Sequence, residues 1–181
     1  MYNKIIDKNS FFLYSNLAPE VKTLYKEMIY RFLFMLNFEY GGFYQWFDRL
    51  FISEHELVYG RDIIICECNF EIAGVAILKN DVNEKKICTL RVLKKYRNNG
   101  IGHKLIELSM EYLNTEKPMI TLHKNKFNQF QHLLDYYNFT LEETKKNYYY
   151  LFNKELVYNG YLPDREKGIY VTNNYTKWVL I

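Results

Sequence analysis

The segment from Arg97 to Gly102 constrains this chain most, because of what stands on either side of it. Residues 86–92 before it read as a strand. After it, Ile101, Leu105, Ile106, Ser109, Met110 and Leu113 repeat at helical spacing. A glycine-bearing turn between a strand and a helix start exposes backbone N–H groups that have no helical partner. Gly100 and Gly102 leave room for a bulky anion to approach the backbone, and Arg97 adds a charged, bidentate donor. The physical reading is a diphosphate-binding turn; the alternative is a surface turn whose glycines cap a strand. The spacing R-x-x-G-x-G matches neither the dinucleotide pattern G-x-G-x-x-G nor the nucleoside-triphosphate pattern G-x-x-x-x-G-K-[ST].

The elements around this turn predict an α/β domain of three layers with a mixed sheet. Residues 11–15 read as a short first strand. Pro19 fits the first turn of a helix, and Val21, Leu24, Tyr25, Met28, Ile29, Phe32 and Leu33 carry its apolar face to about residue 38. Gly41 and Gly42 end that segment, and an aromatic helix follows over Phe43–Phe51. Strands are expected at 62–68, 71–79 and 86–92, a helix at about 101–115, a strand at 119–122, a helix at about 127–137 and a strand at 146–152. The crossover from 86–92 to 119–122 is long enough to require a helix and parallel pairing. A meander of three strands before it is unlike a doubly wound dinucleotide domain. Residues 169–171 and 176–181 read as short closing strands that cover a sheet edge or contribute to a dimer interface.

At 181 residues the chain suits one domain, with hydrophobic residues at 49% and charged residues at 25%. Its 18 Tyr and 13 Phe would serve a cleft or an interface, although a biased source genome gives the same excess. A net charge of +3, spread along the chain, argues against a nucleic-acid partner. Lys94, Lys95 and Arg97 do concentrate charge beside the turn. Three cysteines argue against a disulfide-stapled secreted fold. Cys66 and Cys68 share one strand face, and no second pair supports a zinc site. The N-terminus has no signal-peptide run and no stretch spans a membrane, so the expectation is a cytoplasmic protein with no membrane partner.

The turn and its setting resemble the acyl-CoA signature of the GNAT acyltransferase superfamily, [RQ]-x-x-G-x-[GA] after a strand ending in an apolar-x-Val triplet. Here the triplet is Leu90, Arg91 and Val92. Residues 72–78 look like the preceding family strand, and Met119–Leu122 like the strand after the signature helix. Asn138 and Phe139 stand where the family usually has Gly-Phe. The resemblance covers about residues 60–152 and implies a single domain over 1–181, its sheet mostly antiparallel, with 152–181 an atypical extension. It further implies acetyl-CoA as acyl-donor cosubstrate and transfer to a primary amine of a small molecule or peptide by direct attack. The alternative is a non-catalytic acyl-CoA-binding protein on the same fold. A homodimer is compatible with the aromatic-rich surface.

In the family, two parallel strands diverge at their C-terminal ends and the pantetheine arm lies in the gap. The resemblance therefore places Leu90 and Val92 at the pantetheine amides. Arg97, Asn98, Asn99, Gly100, Ile101 and Gly102 would surround the diphosphate, with His103 and Lys104 at its edge. Asn128 is similar to the family's helix-start Asn, with a one-residue change of spacing. The family's usual base carboxylate position is Lys86 here, and its usual acid tyrosine position is Leu134. Glu84, two residues before Lys86, is then a candidate base, with a solvated hairpin residue as the alternative. Tyr137 is the candidate acid, and His123, at the end of its strand, a candidate base or water organiser. Cys88 shares the face of Leu90 and Val92 by parity and reads as a buried small residue.

Overall fold

The computed structural model describes residues 10–149 and 153–164. Seven strands form one sheet in the order β1-β2-β3-β4-β5-β7-β6. They are β1 (Phe11–Leu13), β2 (Arg61–Cys68), β3 (Glu71–Asn80), β4 (Lys85–Val92), β5 (Met119–His123), β6 (Leu141–Lys146) and β7 (Lys154–Tyr158). Five helices accompany them: α1 (Pro19–Leu33), α2 (Leu36–Glu39), α3 (Phe43–Asp48), α4 (Ile101–Leu113) and α5 (Phe127–Tyr136). Only β4 and β5 pair in parallel; every other neighbouring pair is antiparallel. The expected mixed, mostly antiparallel α/β sheet is what the chain forms. Among the described residues no helix is long and apolar enough to cross a membrane.

The helix expected to run from Pro19 to about residue 38 stops at Leu33. The Asn37 side chain donates to the Phe34 carbonyl and accepts from the Tyr44 N–H, so it competes with the helical ladder. The first strand is shorter than expected. Asp62 draws residues after Leu13 into a tight turn by accepting from both the N–H and the hydroxyl of Ser15. Against the strand expected at 146–152, β6 ends at Lys146, residues 147–149 bend away and β7 begins at Lys154, while residues 150–152 lie outside the described residues. The apolar tyrosines Tyr148 and Tyr149 sit between the strands, buried against Met119 and Val157. The closing strands expected at 169–171 and 176–181 lie outside the described residues.

Two helical layers cover the sheet. On one face α4 and α5 bury Ile101, Leu105, Ile106, Leu113 and Leu134 against Ala76, Leu78, Ile87, Leu122 and Leu156. On the other, α1 and α3 bury Ile29, Leu33, Phe43, Trp46 and Phe47 against Ile63, Ile65, Val75 and Ile77. Gly74 lets α4 approach: a Cβ there would lie 2.9 Å from the Ile101 side chain and 3.0 Å from that of Leu105. This close packing fixes the start of α4 beside the end of β4.

Parity along β4 breaks at one point. Leu78 pairs with Ile87 and Ile77 with Thr89, so Cys88 is an extra residue, a β-bulge. Ile87, Leu90 and Val92 join the core beneath α4, whereas Cys88 joins the core beneath α1 and α3. Cys88 therefore faces away from Leu90 and Val92, contrary to the count from the sequence.

Candidate active site

The parallel pairing of β4 with β5 spans only Lys86 with Met119 and Ile87 with Ile120. Beyond those pairs the strands part, and this edge of β4 from residue 88 onward has no strand neighbour among the described residues. A cleft of about 510 Å³ occupies the gap. Its wall includes Leu90, Val92 and Leu122 from the α4 face together with Cys88, Thr89 and Thr121 from the opposite face. The opening thus passes through the sheet. The gap expected between the ends of β4 and β5 is present.

At the α4 end the cleft meets the turn. Tyr96 anchors the approach, its hydroxyl donating to Glu71 at 2.6 Å. Arg97 Nε donates to the Val92 carbonyl at 3.3 Å, tying the turn back onto β4. Asn98 and Gly100 both adopt left-handed backbone, with φ of 61° and 78°. Main-chain hydrogen bonding resumes where the Lys104 N–H donates to the Gly100 carbonyl. The N–H groups of residues 98–103 find no acceptor among the described residues, so they are available to an anion. A Cβ placed on Gly100 would meet nothing within 4 Å. That open space, bounded by free donors, fits a diphosphate.

Leu90, Val92, Arg97, Asn98, Gly100, Gly102 and His103 all line the cleft. Asn99, Ile101 and Lys104 do not; Ile101 packs inward at 1% exposure and Lys104 pairs with Glu107. Asn128 is exposed and borders a separate hollow beside Leu141 and Tyr158.

The three expected proton-transfer residues are not brought together. Glu84 lies outside the cleft and accepts from Lys79, which also pairs with Asp81. Tyr137 stands between α4 and α5, its hydroxyl 3.3 Å from His103 Nδ1, 3.2 Å from the His103 carbonyl and 3.3 Å from Glu107. Burial and the Glu107 charge push its pKa up to about 12. His123 uses Nδ1 to accept from the Asn125 N–H at 3.1 Å, which caps the turn after β5. Leu134, at the family's usual acid position, is core.

What the cleft does contain is Glu155, which the sequence reading missed. It sits on β7 opposite His123, is 1% exposed, and its Oε1 has no hydrogen-bond partner. Burial raises its pKa to about 6, against smaller opposing attractions from His123 and Lys86. Tyr40, Phe43, Trp46 and Tyr149 line the same cleft. Burial and the Glu155 charge also raise the pKa of Tyr40 and of Tyr149, so both hydroxyls keep their protons. The available signal was a lone carboxylate in an apolar alternation, Glu155 and Val157 facing one way, Leu156 and Tyr158 the other. A buried acid needs a partner; here that partner is not supplied by the described residues.

Lys86 lies under this group, 1% exposed, with Nζ 3.4 Å from the Tyr149 hydroxyl. It makes no ion pair among the described residues. Burial holds its pKa below the usual lysine value, so the native protein binds that proton less tightly than the unfolded chain. The resulting cost to stability is present at neutral pH and fades as pH rises toward the ordinary lysine pKa. Lys86→Met is expected to raise Tm at pH 7 by about 2–4 °C, the shift that about 1 kcal/mol gives a chain of this size. Thermal melts at pH 7 and pH 10 check this, the gain shrinking at the higher pH.

The model of the acetyltransferase (GNAT) domain family matches residues 52–149, more than half of the chain, and the protein belongs to this family of acetyltransferases. Solved structures agree on the fold. A GNAT-family protein from Desulfovibrio desulfuricans superposes with a TM-score of 0.56 at 13% identity, over 82% of this chain and 95% of that one. A GNAT acetyltransferase from Streptococcus pneumoniae gives 0.55 at 15% identity, over 82% and 96%. One from Elizabethkingia anophelis, with acetyl-CoA bound, gives 0.53 at 16% identity, over 83% and 97%. No curated relative matches the sequence.

Proposed function

We propose that the protein transfers an acetyl group from acetyl-CoA to a primary amine by direct attack, with Glu155 as the base. The observation that carries this is the buried Glu155 carboxylate, one oxygen of which has no hydrogen-bond partner, among the residues lining a cleft that begins at an anion-accepting turn. The acetyl donor supplies a thioester carbonyl for the amine to attack and a thiolate to leave. The free N–H groups of residues 98–103 and the Arg97 guanidinium would hold its diphosphate. The unpaired β4 edge beyond Ile87, at the bulge, offers main-chain groups to the arm that crosses the sheet.

An amine attacks only when neutral, so a proton must leave the ammonium form. The Glu155 carboxylate is the acceptor best placed for it, and near neutral pH a carboxyl with a pKa of about 6 is largely ionised. The protonated hydroxyls of Tyr40 and Tyr149 both feel the charge of this carboxylate, and would supply hydrogen bonds to the reacting carbonyl or a proton to the leaving thiolate. Glu84 and Tyr137, outside the cleft, serve structure in this reading. His123 acts by shaping the turn after β5.

Calorimetric titration with acetyl-CoA, followed by thiol release on a mixed amine panel, tests the reading. The expected result is micromolar binding and release of CoA that depends on amine. Absence of binding at high micromolar concentration overturns the donor assignment. Binding without release favours a protein that only binds acyl-CoA.

A further inference from the structure

The charges around the cleft narrow the acceptor. Among the described residues its wall carries two carboxylates, Glu39 and Glu155. Glu39 is already engaged: its Oε1 receives Lys126 Nζ at 2.7 Å, and it attracts the Arg91 guanidinium. Lys126 and Arg91 also line the cleft, and Arg97 stands at the turn. Glu155 is therefore the one lining carboxylate without a cationic partner at hydrogen-bonding distance among the described residues. Tyr40 and Tyr149 of the wall feel its charge, and Phe43 and Trp46 line the same cleft.

Resting on the acetyltransferase reading, we infer that the acceptor is a compact primary amine with a single ammonium on an apolar body. One unpaired carboxylate matches one cation. A second ammonium would enter the same space with no anion to meet it and with Lys126 and Arg91 at the wall. Burying a charge without a partner is costly, and like charges add to that cost. The aromatic faces favour the first ammonium through cation–π attraction and accept a hydrocarbon or aryl body without leaving polar groups unpaired. Size agrees, because the cleft of about 510 Å³ also has to admit the donor's arm. Polyamines, aminoglycosides and lysine-rich peptides fail on charge, on size or on both.

The test compares kcat/KM of the full chain with saturating acetyl-CoA for phenethylamine and isoamylamine against spermidine and neamine, at pH 8 and low salt. Both monoamines are expected to exceed both polycations by at least about tenfold, as burial of one unpaired charge requires. Spermidine or neamine used as well as phenethylamine overturns the inference while leaving acetyl transfer to amines intact. Binding of acetyl-CoA with no turnover on any of the four overturns both. Quenching of Trp46 fluorescence by the monoamines, but not by spermidine, supplies a readout independent of turnover; the reverse pattern counts against the inference.

Discussion

Glu155→Gln is expected to lower kcat by about 10²–10⁴-fold with little change in acetyl-CoA affinity, because it removes a proton acceptor and leaves the turn intact. In the unaltered protein, kcat/KM should fall as pH drops below about 6, where the carboxyl takes its proton. The variant should lack that limb. Stability moves in the opposite sense. The native pKa lies above that of an unfolded glutamate, so the protonated form favours folding below about pH 4.5, and that advantage is lost as pH rises through about 6. Above pH 7 the ionised, buried carboxylate therefore costs the fold up to about 2 kcal/mol. The Gln variant should melt no lower than the parent at pH 8, and somewhat higher if its amide finds a partner. Loss of turnover together with an undiminished Tm separates a chemical role from a structural one. Normal turnover in a folded Glu155→Gln protein removes Glu155 from the chemistry.

Gly100→Asp is expected to weaken acetyl-CoA binding by at least about tenfold, equivalent to roughly 1.4 kcal/mol, with the fold retained. The new side chain would project into space where nothing lies within 4 Å, so folding meets no clash. Asp tolerates left-handed backbone better than most residues and is a favoured N-cap, which is the position Gly100 holds for α4. It would nonetheless place a carboxylate among the donors that face the diphosphate. Gly102→Asp is a poorer probe, because its Cβ would press on Leu133 at 3.3 Å. Calorimetry beside circular dichroism and thermal melts checks the result. Unchanged affinity in a folded Gly100→Asp protein would reduce the segment to a surface turn.

The turn end of the cleft was legible because its signals are local. A strand, a turn with two glycines and an amphipathic helix occupy consecutive residues, and the structure keeps them in that register. Asn138 shows how far a local rule carries: it stands where the family usually has glycine, and it adopts the φ of 52° that glycine would supply. The acceptor end was illegible for a different reason. It is assembled from α2, α3, β5, the segment before β7, and β7, which are far apart in sequence. Counting back from the family pattern led to Glu84 and Tyr137, whereas a carboxylate reaches the cleft from β7 instead. Glu155 went unnoticed partly because β6, with its run of Glu142, Glu143, Lys145 and Lys146, has the charged composition of a protected sheet edge and little strand propensity. Missing β6 shifted the final hairpin, and Glu155 was left outside any expected strand. A single bulge at Cys88 likewise undid the parity of β4, which no alternation pattern announces.

The parting of β4 from β5 also has a mechanical side. Two residue pairs join a four-stranded half-sheet, β1 to β4, to a three-stranded one, β5, β7 and β6. Beneath α4 and α5 a single apolar cluster runs across both halves. On the opposite face the apolar packing is divided: one cluster lies under α1 and α3, another around Met119, Tyr149 and Val157, and Tyr40 touches both. The molecule is thus built like a bound book, its spine on the α4 side and its free edge where Glu155 lies. One tyrosine ring, that of Tyr40, spans the open edge. A molecule seated between the leaves would stiffen both covers at once, so occupancy of the cleft and cohesion of the whole sheet are one property.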